Sequence, residues 1–176
     1  MEKAIFINKD GIITANAPQD FNTTRLLPGS GESLAVLKKT GFKVFLLADQ
    51  PPRRMDYYEI IRQLLPYEAS IDGFYYCPHS NHECNCHKPK AGLLFEAAEE
   101  RNLDLKNSWI VGDKLDDIEA GNRAGCRTVL LTNGAETQWH VTPVRQPEFL
   151  SPCFEYAVGA IVLKTMYQMI REQQIN

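Results

Sequence analysis

Ala4-Ile5-Phe6-Ile7-Asn8-Lys9-Asp10-Gly11 is the stretch that decides the fold. Its four leading residues are apolar without alternation, the pattern of a strand buried on both faces inside a parallel sheet covered by helices. Strands of that kind carry their chemistry in the loops beyond their C-terminal ends. Asn8, Lys9 and Asp10 stand in that position here.

Outward from this run, apolar strand-like segments alternate with longer helical ones. Pro28-Gly29-Ser30 introduces a helix over Ser30–Lys39, with Leu34 and Leu37 inward and Gly41 as its stop. A second strand is predicted over 43–47, a helix over 54–65 ended by Pro66, and a third strand over Gly73–Tyr76. A helix over 90–101, a strand over 108–111, a helix over 116–124 and a fifth strand over Arg127–Leu131 follow, with a last helix over 154–171. Such alternation means right-handed βαβ units: an α/β, three-layer, Rossmann-like domain with a five-stranded parallel sheet.

Length and composition agree. The 176 residues are read as one domain, 1–176, with 44% hydrophobic and 23% charged residues, which excludes disordered, collagen-like and coiled-coil chains. The balance of 19 basic against 22 acidic residues, net charge -3, offers no field for nucleic acid or an anionic membrane. The longest apolar run near the C-terminus, 157–163, is too short to span a bilayer. With strand pattern beginning at Ala4 and no signal-like segment, the expected location is cytoplasmic. Five cysteines do not make a disulfide scaffold in a chain of this size.

The loops after the strands bring together Asn8, Lys9 and Asp10; Ala48 and Asp49; the cysteines with His87 and Lys88; and Asp113, Lys114, Asp116 and Asp117. Carboxylates from two loops suit Mg²⁺, and a lysine from a third suits a phosphoryl group, so the layout is one of phosphoryl transfer.

Four stretches in this order resemble the haloacid dehalogenase (HAD) superfamily, specifically its small heptose bisphosphate and histidinol-phosphate phosphatases. They are Phe6 to Gly11, Leu46 to Gln50, Cys77 to Lys90, and Val111 to Asp117; the resemblance runs from about Ala4 to Leu131. It implies a catalytic pair at Asn8 and Asp10, a phosphate-holding Lys88, Mg²⁺ at Asn8, Asp10 and Asp113, and substrate contacts from Lys9, Ala48, Asp49, His87 and Lys114. At this length no separate cap domain is expected; a cap would be absent or reduced to loops.

The chain departs from the family pattern where reactivity resides. The nucleophilic aspartate is Asn8, whose amide is no substitute nucleophile. The phosphate-holding hydroxyl residue is Ala48, the neighbouring asparagine is Asp49, the threonine after Asp10-Gly11 is Ile12, and the arginine before Lys88 is His87. The expectation is a weakened Mg²⁺ site and a phosphatase-like protein that binds phosphorylated sugars with little or no turnover.

Six of the chain's nine Cys and His residues fall between Cys77 and His87. The spacing C-x-H-x₄-C-x-C suits a tetrahedral Cys₃His zinc site. The resemblance assigns Cys77, His79, Cys84 and Cys86 as ligands, with His82 competing for the place of His79. Four protein ligands would close the coordination shell, making the zinc structural.

Other residues have plainer readings. Asp116 favours a helix N-terminus, whereas Asp117 serves either that role or the metal. Lys114 is an exposed neighbour of Asp113 or its ion-pair partner, and Lys9 is solvated or substrate-facing. Trp109, Phe6, Cys126 and Cys153 are core candidates; Trp139-His140 is packing or a loop contact. Tyr156, Ile161, Met166 and Met169 form a core or interface stripe on the last helix. Two rival functions remain open: an active Mg²⁺-dependent phosphomonoesterase represented by an Asn8 variant, and a zinc-stabilised protein-interaction module. A monomer or small homo-oligomer is expected.

Overall fold

The opening apolar run forms β1 (Ala4–Asn8), and all five of its residues are buried. Further elements follow in the order β2 (Thr14–Ala17), β3 (Asp20–Leu26), α1 (Ser30–Lys39), β4 (Lys43–Ala48), α2 (Arg54–Leu64), β5 (Gly73–Tyr76) and α3 (Gly92–Arg101). The chain continues through β6 (Trp109–Gly112), α4 (Leu115–Ala124), β7 (Arg127–Leu131), β8 (Phe149–Ser151) and α5 (Phe154–Ile175). This computed structural model describes every residue except 18–19, 52–53, 80–82, 134 and 176, and the side chains of 16–17, 20–23, 54–55 and 175 are likewise left aside.

The main sheet has the order β5-β4-β1-β6-β7-β8, and every neighbouring pair is parallel. The five predicted strands are all present, and β8 adds a sixth at the edge. Alternate residues of β1 serve opposite faces. Ile5 and Ile7 join a core with Leu34 and Leu37 of α1, Ile60 and Leu64 of α2, and Phe154 and Ile161 of α5. Ala4 and Phe6 join a second core with Leu93, Leu94 and Ala97 of α3 and Ala120 of α4. That is a three-layer α/β sandwich, α1, α2 and α5 over one face and α3 and α4 over the other.

From β1 the chain moves one way to β4 and β5, then returns to the opposite side for β6 and β7. The order therefore reverses between β1 and β6, which opens a crevice between the loops leaving them. Asn8 ends β1, and Asp113 immediately follows β6.

Local boundaries follow local chemistry. Pro66 sits in a 3-10 turn, Leu65–Tyr67, so α2 closes at Leu64. Lys90, predicted to open a helix, instead donates its backbone N–H to the His87 carbonyl in a turn, and α3 begins at Gly92. In place of loops, the segment between β1 and α1 forms the β2–β3 hairpin, tied to α2 by bonds from Thr24 Oγ1 to Asp56 (2.8 Å) and from Gln63 Nε2 to the Thr24 carbonyl (2.9 Å). On α5, Ile161 is buried while Tyr156, Met166 and Met169 face outward. No helix among the described residues is long and apolar enough to cross a membrane.

Candidate functional site

Three loops converge on residue 8. The Asn8 side-chain amide donates from Nδ2 to Asp113 Oδ1 at 3.0 Å, and its Oδ1 accepts from Lys88 Nζ at 3.2 Å. Asn8 is buried, as are Lys88 and Asp113. The parallel register that sets Ile7 against Val111 brings the two strand ends level, so Asp113 arrives beside Asn8.

Lys88 is the hub. Its ammonium lies 2.6 Å from Asp117 Oδ1 and 3.0 Å from Asp49 Oδ1. Burial alone would push this lysine down, but the facing carboxylates of Asp117 and Asp49 outweigh it and hold it above its ordinary value. Asp117 is 1% exposed, and its second oxygen accepts the backbone N–H groups of Asp113 (3.2 Å) and Lys114 (3.1 Å). Of the two roles the sequence leaves open for Asp117, the geometry matches the helix N-terminal one, with Lys88 added. Asp113 is pushed up, first by burial and then by the nearby Asp117 charge, against the hydrogen bond from Asn8.

Asp10 lies apart from this node. Its carboxylate is 64% exposed and pairs with the buried Lys9 ammonium. The Lys9 backbone is also held: its carbonyl accepts Thr14 Oγ1 at 3.1 Å. Ile12 turns into the core on the α1 side rather than toward the site, and Ala48, also buried, brings no donor. His87 places Nδ1 2.7 Å from the Lys88 carbonyl, Lys114 is exposed, and Asp116 pairs with Arg145 instead of facing the node.

Two glycines make the close approaches possible. Gly11 has φ +79°, and a Cβ there would sit 2.7 Å from Asp113 Oδ2. A Cβ at Gly112 would lie 2.2 Å from Cβ of Asp117. Both distances are below any normal contact, so side chains at either position would displace the carboxylates.

Mg²⁺ is the cation that the family pattern implies at Asn8, Asp10 and Asp113. Mg²⁺ needs oxygen ligands in a near-ideal octahedron. The Asn8 atom facing Asp113 Oδ1 and lying 3.5 Å from the Asp10 carbonyl is a nitrogen donor, not an oxygen. As arranged, these residues do not fit the ion.

Between β5 and α3, the cysteine loop presents a compact donor set. One ligand atom each from Cys77, His79, Cys84 and Cys86 lie within 4.8 Å of one another. Cys77 Sγ is 3.3 Å from both Cys84 Sγ and Cys86 Sγ, and His79 Nδ1 is 3.2 Å from Cys86 Sγ. Three thiols and an imidazole are the donors zinc prefers, and this cluster fits it. Burial opposes ionisation of Cys84, yet hydrogen bonds from Cys86, Cys77 and the backbone N–H groups of His87 and Cys86 bring it down to about 6. Burial, with Cys77 and Cys84 beside it, pushes Cys86 up to about 12. His82 lies outside the described residues.

Sequence reasoning missed two tethers. Lys90 Nζ donates to the Cys84 carbonyl at 2.7 Å and the Glu83 carbonyl at 3.1 Å, fastening the cysteine loop. Asn133, after β7, donates to the Gly11 carbonyl at 3.1 Å. A lone lysine or asparagine in a loop carries no periodic signal that could have announced either contact.

Comparison with known proteins agrees with the fold. A HAD-hydrolase-like family profile matches residues 85–155. The chain is 32% identical over 154 residues to the D-glycero-beta-D-manno-heptose-1,7-bisphosphate 7-phosphatase of Pasteurella multocida, covering 76% of this chain and 84% of that one. It is 31% identical over 146 residues to the D-glycero-alpha-D-manno-heptose-1,7-bisphosphate 7-phosphatase of Campylobacter jejuni, covering 74% and 83%. Among solved structures, the D,D-heptose 1,7-bisphosphate phosphatase from B. bronchiseptica, complexed with magnesium and phosphate, superposes with a TM-score of 0.75 at 21% identity, covering 92% of this chain and 99% of that one.

Proposed function

The chain belongs to the HAD-type family of heptose bisphosphate phosphatases, and from that premise we propose that it is a member without turnover, binding a phosphorylated sugar at Lys88 rather than hydrolysing it. The observation that carries this reading is the Asn8 amide at the end of β1, hydrogen-bonded through both ends to Lys88 and Asp113. In the family pattern that position supplies the carboxylate that attacks phosphorus. A neutral amide has no electron pair of comparable basicity to offer, and loss of a covalent nucleophile removes several orders of magnitude in rate.

The surrounding residues support binding more than chemistry. Lys88 is a buried cation, oriented by Asp117. It gives a phosphoryl oxygen a charge-assisted partner. Asp49, 3.0 Å from the same ammonium, competes for it, so the affinity should be modest. Asp10, the family's proton donor, has no leaving group to serve if no phosphoryl transfer starts. The zinc fitted to the cysteine loop would be structural, fixing the segment that delivers Lys88 two residues beyond Cys86.

Phosphate release from sugar bisphosphates and histidinol phosphate, with Mg²⁺ present and an Asp113→Ala control, tests the reading. No release above that control is expected from the wild type. Asn8→Asp alone should recover little, because Ala48 and Asp49 still face the phosphoryl group. Asn8→Asp with Ala48→Thr and Asp49→Asn should recover more. Wild-type turnover above the control would overturn the reading in favour of an active phosphomonoesterase.

A further inference from the structure

We propose that the Asn8 amide group stands in the place of the site's cation, so that the crevice is complete without a divalent metal and does not take one. The case begins with the direction of the amide. Lys88 Nζ has only protons to give, and a carboxylate has only lone pairs. With Lys88 3.2 Å from one end of the amide and Asp113 Oδ1 3.0 Å from the other, one orientation satisfies both: oxygen toward Lys88, NH₂ toward Asp113. The NH₂ group then lies between Asp113 Oδ1 and the Asp10 carbonyl, 3.5 Å away. Those two oxygens, with an oxygen of residue 8, are the set a hard cation would need at this point.

Entry of an ion would require the NH₂ to leave. Rotating the amide by half a turn sets its NH₂ against the Lys88 ammonium, donor against donor, in a buried site where an unmatched polar group is costly. The remaining carboxylates do not help. Asp117 is engaged by Lys88 and two backbone N–H groups, and Asp49 also faces Lys88. Among the described residues, Asp113 is thus the carboxylate hydrogen-bonded to residue 8, and its Oδ1 is already on Asn8. The partial positive charge of an N–H pair, covalently tethered to β1, replaces an exchangeable ion. This deepens the reading above and rests on it in one respect: a phosphorylated ligand held at Lys88 would bind without Mg²⁺.

Mn²⁺, followed by loss of the free-ion electron paramagnetic resonance signal, probes the site independently of activity. Zinc-loaded full-length wild type, Asp113→Ala and Asn8→Asp would be titrated under identical salt. Wild type should take up no more Mn²⁺ than Asp113→Ala, while Asn8→Asp should take up one additional equivalent. In thermal unfolding, about 10 mM MgCl₂ should leave wild-type Tm unchanged and raise that of Asn8→Asp by about 5 °C. One equivalent of Mn²⁺ bound by wild type and lost in Asp113→Ala would overturn the inference, even if Asn8→Asp proved too unstable to purify. Phosphate release by a wild type that takes up no Mn²⁺ would instead defeat the proposed function and leave this inference standing.

Discussion

Asn8 and Asp113, 105 residues apart, are joined by a 3.0 Å hydrogen bond across the one place where the strand order of the sheet reverses. The bond couples the loop after β1 to the loop after β6. With a carboxylate at position 8, two carboxylates would face each other at this distance, and a cation or a shared proton would be needed to offset their repulsion. The amide removes that requirement, and the consequences can be measured.

The buried Lys88–Asp117 pair should be a principal source of local stability. Asp117→Ala leaves Lys88 short of its nearest counter-charge and two backbone N–H groups without an acceptor. A loss of about 3–5 kcal/mol is expected, read from urea unfolding. Because Lys88→Ala removes the same pair, the double variant should lose clearly less than the sum of the two single losses.

Metal in the cysteine loop should be detectable by elemental analysis as about one zinc per chain. Removing it with a chelator, or substituting Cys84→Ser, should lower Tm and increase proteolysis between β5 and α3. Re-addition of zinc should restore the wild type but not Cys84→Ser. An unchanged Tm after complete zinc removal would argue against a structural role.

Asp49 competes with any anion for Lys88. Asp49→Asn keeps the size of the side chain and removes its charge, so binding of inorganic phosphate or a sugar phosphate should tighten about tenfold, an electrostatic gain expected for charges a few ångströms apart in a partly buried site. Isothermal titration of both proteins measures it. Equal affinities would place the phosphate away from Lys88.

Glu119 offers a pH signature outside the crevice. Burial raises its carboxyl group, but hydrogen bonds from Arg145 and Arg123 outweigh burial and hold it below the ordinary glutamate value. A group whose pKa is depressed on folding adds stability above its unfolded pKa, near 4.3, and loses it as pH falls through the lower folded value. Glu119→Gln should therefore destabilise the protein by about 1.5 kcal/mol at pH 7. The gap to wild type should narrow as the pH drops below about 4, as denaturant midpoints across pH will show.

Much of the fold was readable because buried parallel strands write their character in short range. Gly73–Tyr76, Arg127–Leu131 and Ser30–Lys39 have the limits that apolar runs and glycine stops predict. β8 was not readable: three residues between Pro147 and Pro152 are too few to show a period, and the strand exists because Leu131 and its neighbours offer an edge. The β2–β3 hairpin was hidden for a related reason, since Thr24, Leu26 and Gln63 hold it through contacts between distant segments. At the site, the motifs brought Asn8, Lys88 and Asp113 to one edge. Which way the Asn8 amide points, and that Asp117 answers Lys88, depend on distances of a few ångströms between loops, and no linear pattern encodes them.

Gly11 and Gly112 do no chemistry, yet the carboxylates of Asp113 and Asp117 occupy the space their missing side chains leave. Asn8, Ala48 and Asp49 differ from the family pattern by side-chain atoms alone, on a backbone those glycines still permit. On the proposed reading, the gap between this crevice and one with turnover is measured in functional groups and not in architecture. Repair should proceed by point substitution, with no loop to rebuild, whereas a single methyl group added at Gly11 or Gly112 would close that route.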